Sequence, residues 1–438
     1  MAILSALKNR NIYLNRLIEA QDTRMVKVIT GIRRSGKSSL LKLMLAHLRQ
    51  SGIQDDQILE MNFESYEYAK MSGEYFFHYV RNRICKGKRT YLFFDELQIV
   101  PEWAEQISAF MVAFDCDIYI SGSNASLLST EFNSYLAKKS IVICIYPLTF
   151  AECIEFYGFS VSYPEPESSQ TPIGLTDAQG QFYPHRRAIE AFLRYGGMPI
   201  LSEVRTAQQN FQPYLDGVYS TIILRDILER ERERGQQLIK DPALLKKIIL
   251  YMADQIGRPL SVSSIGNALV NEGLLFEGTR QNVPSVHTVQ AYVSALIESY
   301  LFYEVKRFDI RTNEPLRTLG SFYMADPGLR NYLLGFDSFD RAPALRNVVF
   351  TELIARGYTV MTGKIGSQTV DFIATKNEEK IYYQVVYSME QEEIRTRTLS
   401  PLKKIRDNYA KIVLSLEPDP NRLYEGIRSI PLISWLLH

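Results

Sequence analysis

Residues 26–48, "VKVITGIRRSGKSSLLKLMLAHL", constrain this chain more than any other stretch. A short strand-like run leads into a turn bounded by glycines, and a helical pattern follows. Gly31 to Ser38 fit G-x-x-x-x-G-K-[ST], placed between a strand and a helix as that spacing requires. The glycines let the backbone curl so that its N–H groups face phosphate oxygens, and the helix N-terminus adds partial positive charge. The motif therefore assigns Gly31, Ile32, Arg33, Arg34, Ser35, Gly36, Lys37, Ser38 and Ser39 to the phosphates of a nucleotide. Lys37 would reach the β- and γ-phosphates, and the Ser38 hydroxyl would ligate Mg²⁺.

"TYLFFDE", residues 90–96, reads as a buried strand that presents acids at its carboxyl end. Open α/β sheets bind ligands at that edge. Asp95 would hold Mg²⁺ through its water shell, and Glu96 would polarise an attacking water. Adjacent acids of this kind favour hydrolysis over simple nucleotide transfer. The next strand-like run, "CDIYISGSN", also ends in polar groups. Asn124 is the first choice there for a sensor of the γ-phosphate or water, with Ser123 the alternative.

The surroundings of these motifs read as a parallel α/β sheet. Apolar runs near 25–30, 57–63, 90–95, 116–121 and 140–146 alternate with helical patterns. Residues 160–182, rich in Pro, Ser and Gln, read as a loop and a domain boundary. Residues 184–236 read as helices, 241–320 as three helices and a β-hairpin, and 345–416 as mixed helix and strand. The predicted segments are an ATPase domain at 1–158, an insertion loop with helical linker at 159–236, a winged-helix domain at 237–325 and a nuclease-like α/β domain at 326–438. A chain of 438 residues with 46% apolar and 23% charged residues has enough material for several cores. A net charge of +1 excludes a global field that would draw nucleic acid or membrane, so any such partner needs a local patch. The four cysteines show no Cys-x-x-Cys spacing, and no run approaches the ~18 apolar residues of a membrane span. A reducing, cytoplasmic setting is expected.

Motif order adds a resemblance. "GIRRSGKSSLL", "FFDELQ", "ISGSNASLL" and "YPLTFAECIEF" resemble prokaryotic AAA-type ATPases fused to a C-terminal domain of unknown function. The likeness continues through "FLRYGGMP", "STIILRDILER", "FYMADPGLRN" and "VDFIATKNEEKIYYQVVYS". The resemblance implies a AAA-like core that binds ATP with Mg²⁺ and hydrolyses it to ADP and phosphate. It also admits an oligomer. One departure stands out. Where relatives often carry a Gly-Arg pair, this chain reads Ala137-Lys138-Lys139. Lysine supplies charge without the planar fork of arginine. Arg225 is a substitute candidate, and slow basal hydrolysis is expected because an arginine finger can contribute ~10³–10⁵ in rate.

Residues 241–309 look like a winged helix-turn-helix. In its last helix Val286, Val289, Val293, Leu296, Ile297 and Tyr300 form the expected buried face, with Ser285 as N-cap. The opposite face, with His287, Thr288, Gln290, Ala291 and Ser294, carries no Lys or Arg; His287 reads as a solvent-facing residue. Basic residues gather instead on the following hairpin, at Lys306, Arg307, Arg311 and Arg317, where a wing would contact DNA backbone. Farther on, Glu352, Asp371 and Gln384 resemble the acid positions of the restriction-endonuclease-like fold. Gln384 replaces one acid, Val386 stands where a lysine is needed, and Lys380 is ~13 Å away along the strand. Arg346 and Thr369 stand where relatives often show Glu. Nuclease activity is therefore not expected. The fold class read from the chain is α/β: a AAA-like parallel sheet, then a helical and winged-helix region, then a nuclease-like α/β domain. The expected function is an ATP-driven switch that meets DNA through its C-terminal half, or alternatively a nucleotide-dependent module for a protein partner.

Overall fold

The computed structural model describes residues 7–68, 70–128, 135–136, 138–162, 174–203, 211–229, 239–271, 284–336, 340–417, 419 and 423–438. The chain divides into two compact units. The first holds residues 1–146 with 298–300, and the second holds 147–297 with 301–438.

The first unit opens with α1 (Asn11–Glu19), then β1 (Val26–Thr30), α2 (Lys37–Gln50), β2 (Ile58–Asn62), α3 (Gly73–Arg81), β3 (Thr90–Asp95), α4 (Trp103–Ala113), β4 (Cys116–Gly122) and β5 (Ser140–Cys144). The strands lie within about two residues of the predicted runs. Among the described residues they form one parallel sheet in the order β2-β3-β4-β1-β5. Both faces of the central strands β1, β3 and β4 are covered, so these read as near-continuous apolar runs. Period-two alternation sends Ile29, Phe93 and Tyr119 toward α1 and α2, where Tyr13, Leu17, Leu40, Met44 and Leu48 complete one core. Val28, Phe94 and Ile120 point the other way, onto Phe76 and Val80 of α3 and Ile107 and Phe110 of α4. Because β4 lies between β1 and β3, the carboxyl ends of all three open on one edge. Thr30 pairs with Gly122, Phe94 with Ile120 and Asn62 with Asp95 along it.

The second unit begins with α5 (Phe150–Phe156) and three short strands, β6 (Ser160–Ser162), β7 (Gly174–Thr176) and β8 (Phe182–Pro184). These pair antiparallel, where the sequence suggested only a loop. Then come α6 (His185–Tyr195), α7 (Gln212–Thr221), a π-helical stretch at Ile222–Glu229, α8 (Pro242–Asp254), β9 (Pro259–Leu260), α9 (Val262–Asn271) and α10 (Val286–Glu298). Next are β10 (Phe302–Asp309), β11 (Glu314–Met324), α11 (Pro327–Leu334) and α12 (Arg341–Ala355). The last elements are β12 (Thr359–Ile365), β13 (Gln368–Lys376), β14 (Glu379–Val386), α13 (Glu392–Lys403), β15 (Ala410–Ser415), β16 (Leu423–Tyr424), β17 (Ile427–Pro431) and α14 (Leu432–Leu437).

Three helices followed by a hairpin occur as expected, but the hairpin is not a free wing. Strand β10 pairs with β11 on one side and, in parallel, with β12 on the other. Among the described residues it thus belongs to a nine-stranded sheet, β16-β17-β15-β14-β13-β12-β10-β11-β9, that runs through both predicted C-terminal segments. Helix α12 packs Leu345, Val349 and Leu353 into the core against Tyr323 and Phe372. Its Asn347 side chain bonds both the N–H and the C=O of Met324 on β11, at 2.8 and 2.9 Å. In α10 the Ser285 hydroxyl caps the Thr288 amide at 3.1 Å, and Val289, Val293 and Leu296 are buried. Val286 is 55% exposed, however; Tyr300 is buried as expected but lies beyond the helix end, and Tyr292 joins the buried face. Among the described residues no helix is long and apolar enough to cross a membrane.

Candidate active site

The loop from Gly31 to Gly36 leaves the end of β1 and enters α2. Gly31 has φ +136°, and a Cβ there would stand 2.1 Å from the Ile145 carbonyl oxygen, so no other residue fits. Gly36 has φ +104° and forms the N-cap of α2 without a side-chain hydrogen bond to the first turn, which leaves that turn's amides facing the loop. Arg34 also adopts a left-handed conformation, φ 63°, and is exposed. Arg33 pairs with Glu64 at 2.8 Å. Ile32 is fully buried, and Ser39 is exposed one turn into the helix. Ser35 is buried, and its hydroxyl has no hydrogen-bond partner among the described residues. The Lys37 ammonium, also buried, donates to the Gly31 and Ile32 carbonyls at 3.0 and 3.2 Å.

Asp95 and Glu96 sit at the end of β3, both buried. Ser121 of β4 donates to Asp95, and Asn62 of β2 approaches its other oxygen at 3.4 Å. Burial raises the Asp95 carboxyl above its ordinary range, against hydrogen bonds from Ser121 and Ser38 and the charge of Lys37. The Ser38 hydroxyl and the Asp95 carboxylate therefore share one spot, and hard oxygens of this kind suit Mg²⁺. Burial also acts on Glu96, but the charges of Lys37 and Arg33 and the hydrogen bonds of Gln98 and Ser123 outweigh it and hold this carboxyl low. Glu96 Oε2 accepts from Gln98 Nε2 at 2.6 Å, Ser123 Oγ at 3.0 Å and Ser123 N at 3.3 Å. Ser123, the alternative sensor, thus reaches the acid directly. Asn124 is buried next to it, and its carbonyl accepts the Leu127 amide at 3.1 Å. Lys138 and Lys139 are exposed, Ala137 lies outside the described residues, and so does the side chain of Arg225.

The nuclease-like positions of the second unit meet differently. Glu352 lies on helix α12, not on a strand, and pairs with Arg356 one turn on at 2.7 Å. Ladder pairing of β13 with β14 stops at Phe372–Tyr383, and side chains continue it. Gln384 accepts the Asp371 amide and donates to the Thr369 carbonyl, each at 3.1 Å. Asp371 Oδ2 accepts the Val385 amide at 2.8 Å. Burial raises the Asp371 carboxyl, with the Arg346 charge opposing. Lys380 is turned to the rings of Tyr382, Tyr409 and Phe308, 5.1, 5.2 and 5.4 Å from its ammonium. Among the described residues no group of three or more His, Cys, Asp or Glu is set to hold a metal ion.

A family model described as an AAA domain matches residues 23–154, and one described as Domain of unknown function (DUF8612) matches residues 186–340. An uncharacterized protein of Haemophilus influenzae is 34% identical over 99% of both chains. The chain belongs to this family of AAA-type ATPases. An uncharacterized protein of Methanocaldococcus jannaschii is 24% identical over 87% of this AAA-type ATPase and 79% of its own length. A Walker-type ATPase of Pyrococcus abyssi is similar in structure at 14% identity and a TM-score of 0.46, covering 74% of this chain and 95% of that one.

Sequence reasoning missed three residues of this candidate site. Arg10 reaches from the segment before α1 to bond the Ser35 and Tyr146 carbonyls, each at 2.9 Å, and so ties the Gly31–Gly36 loop to the end of β5. No local pattern marks it. Ser121 is disguised as an interior strand residue. Gln98 follows the acid pair by two positions in "DELQ", a spacing that offered a cue.

Proposed function

We propose that this AAA-type ATPase binds ATP with Mg²⁺ and hydrolyses it to ADP and phosphate, and that the cycle switches its hold on a target. The reading is carried by Lys37. Its ammonium donates to the Gly31 and Ile32 carbonyls and is also the leading charge acting on Glu96. Phosphate oxygens would replace those carbonyls as its partners, with the loop from Gly31 to Ser39 around them. Ser38 and Asp95 would hold the Mg²⁺, which neutralises phosphate charge when bound. Glu96 would take a proton from the attacking water, and Asn124 or Ser123 would hold that water in line. Basal turnover is slow in this reading, because Lys138 and Lys139 lack the planar fork of an arginine. The test pairs two variants. Lys37→Ala loses nucleotide binding in calorimetric titration, whereas Glu96→Gln keeps binding and stops turnover. Wild-type hydrolysis by both variants sinks the assignment.

For the target, DNA contact through the β10–β11 hairpin rests on Lys306, Arg307 and Arg311; the Arg317 side chain lies outside the described residues. A second reading, a protein target, is favoured by Glu304, Asp309 and Glu314, which interleave with those cations on the same two strands and the turn between them. The exposed side of α10 adds no Lys or Arg there; Gln290 on it is bonded to Ser294 at 3.3 Å. An electrophoretic shift with ATP decides between them. DNA binding must weaken steeply with salt; no shift at low salt leaves the protein target.

A further inference from the structure

The Glu96 carboxylate is held through one of its two oxygens. A carboxylate oxygen has two lone pairs. Oε2 already accepts from Gln98 Nε2 at 2.6 Å and from the Ser123 hydroxyl and amide at 3.0 and 3.3 Å. Three donors therefore fix the direction of the carboxylate, with that oxygen turned to Gln98 and Ser123.

The glutamine itself is half satisfied. Its Nε2 must face Glu96, because an ionised carboxylate only accepts. That turns Oε1 the other way, where it is buried with no hydrogen-bond partner among the described residues. It lies over Gly122, where an added Cβ would stand 2.4 Å from it. Only the missing side chain at position 122 leaves room for this seat. A stranded buried acceptor is unfavourable, so the seat competes with any rotamer in which Oε1 finds a donor. The backbone here is also set for change. Glu96 has the left-handed φ of 55°, and Gln98 rides on a single 3₁₀ turn, Leu97–Ile99. Non-glycine residues held in that region cluster at switches.

We propose that Gln98 is a latch: seated against Gly122 it keeps Glu96 from the attacking water, and hydrolysis at full rate requires it to leave. The proposal rests on Glu96 being the base of the reaction proposed above. Gln98 is then a positioning residue whose effect is inhibitory.

The experiment uses the full chain with Gln98→Ala and, independently, Gly122→Ala, which evicts the glutamine while leaving it in the sequence. Each is expected to raise kcat for ATP roughly fivefold or more, the factor that one lost hydrogen bond of ordinary strength implies. The nucleotide Kd stays within about twofold, since a single site contact is not removed. A lower or unchanged kcat in either soluble variant overturns the latch. Adding Glu96→Gln to Gln98→Ala separates the two claims. Abolished turnover in the double variant keeps Glu96 as base, whereas turnover equal to that of Gln98→Ala removes Glu96 as base and the latch with it.

Discussion

Asp326 accepts the backbone amide of Gly197 at 2.6 Å, joining two glycine-containing segments that are 129 positions apart in sequence. The segments "YGGMP" and "ADPG" interlock here. Asp326 also caps α11 through the Leu329 amide at 3.1 Å. A Cβ on Gly196 would stand 2.0 Å from Asp326 Oδ1, and one on Gly328 would stand 1.9 Å from the Tyr195 carbonyl. The glycines are thus the condition for the carboxylate to enter. Burial raises its pKa to about 6, against the amides of Gly197, Leu329 and Gly328 that favour the charge.

That value fixes a sign. The folded state holds the proton more tightly than the unfolded chain, in which an aspartate titrates near 3.9. The stabilisation is fully present below that pH and is lost as pH rises through about 6. The loss amounts to roughly 3 kcal/mol at 1.36 kcal/mol per pH unit. Asp326→Asn carries no titration, so the difference between wild type and variant should shrink toward low pH and change most between pH 4 and 6. Urea midpoints measured across that range check it. A difference that does not vary with pH refutes the buried-carboxylate account.

A second buried charge lies beneath the sheet of the first unit. The Lys27 ammonium on β1 pairs with Asp117 on β4, and both side chains are fully buried. The Asp117 carboxylate also accepts the Tyr119 hydroxyl at 2.9 Å and the Asp22 amide at 3.0 Å. Burial lowers the Lys27 pKa, while Asp117 opposes it. Lys27→Met strands a carboxylate in the core and should cost about 3–5 kcal/mol. Combined with Asp117→Leu, most of the loss should return, leaving about 1–3 kcal/mol for the unpaired Asp22 and Tyr119 donors. A double-mutant cycle by chemical denaturation measures this. Additive single effects would show that the pair is not coupled.

These two sites show where the sequence was legible. The strands of the first unit announce themselves, since runs such as "TYLFFD" are buried on both faces and end in charge. The loop from Gly31 to Ser39 is legible because its motif is consecutive. Side chains that act across the fold leave no such trace. No local pattern marks Lys27 before Asp117 of the neighbouring strand is found beside it, or Gln98 before Gly122 is seen beneath it. The three-residue strands β6, β7 and β8 are too short to outweigh the Pro, Ser and Gln around them. The hairpin β10–β11 was legible as a hairpin, but its parallel pairing to β12 joins segments about 55 residues apart and follows from no local pattern. On α10, a strict helical count placed Val286 and Tyr300 inside. The first is exposed at the helix N-terminus; the second is buried as expected but falls past Glu298, where the helix has ended.

Gln384 shows how a residue at a catalytic-looking position can serve the backbone instead. Its amide spans the Asp371 N–H and the Thr369 carbonyl, where ladder pairing of β13 and β14 has ended. Gln384→Ala removes both bonds and should cost about 1–3 kcal/mol, chiefly for the Asp371 amide left without its acceptor. Gln384→Glu is the sharper probe. A carboxylate cannot donate to the Thr369 carbonyl, and it brings a second negative charge toward buried Asp371, whose pKa burial already raises. Like charges disfavour ionisation, so the folded-state pKa of the pair rises, and stability falls as pH climbs through it. The variant should therefore be least stable at neutral pH and recover toward pH 4. Melting points with Mg²⁺ and with chelator should coincide, because Asp371 Oδ2 is already bound to the Val385 amide. A melting point raised by Mg²⁺ in the variant would reveal a retained cation site and overturn this reading of Gln384.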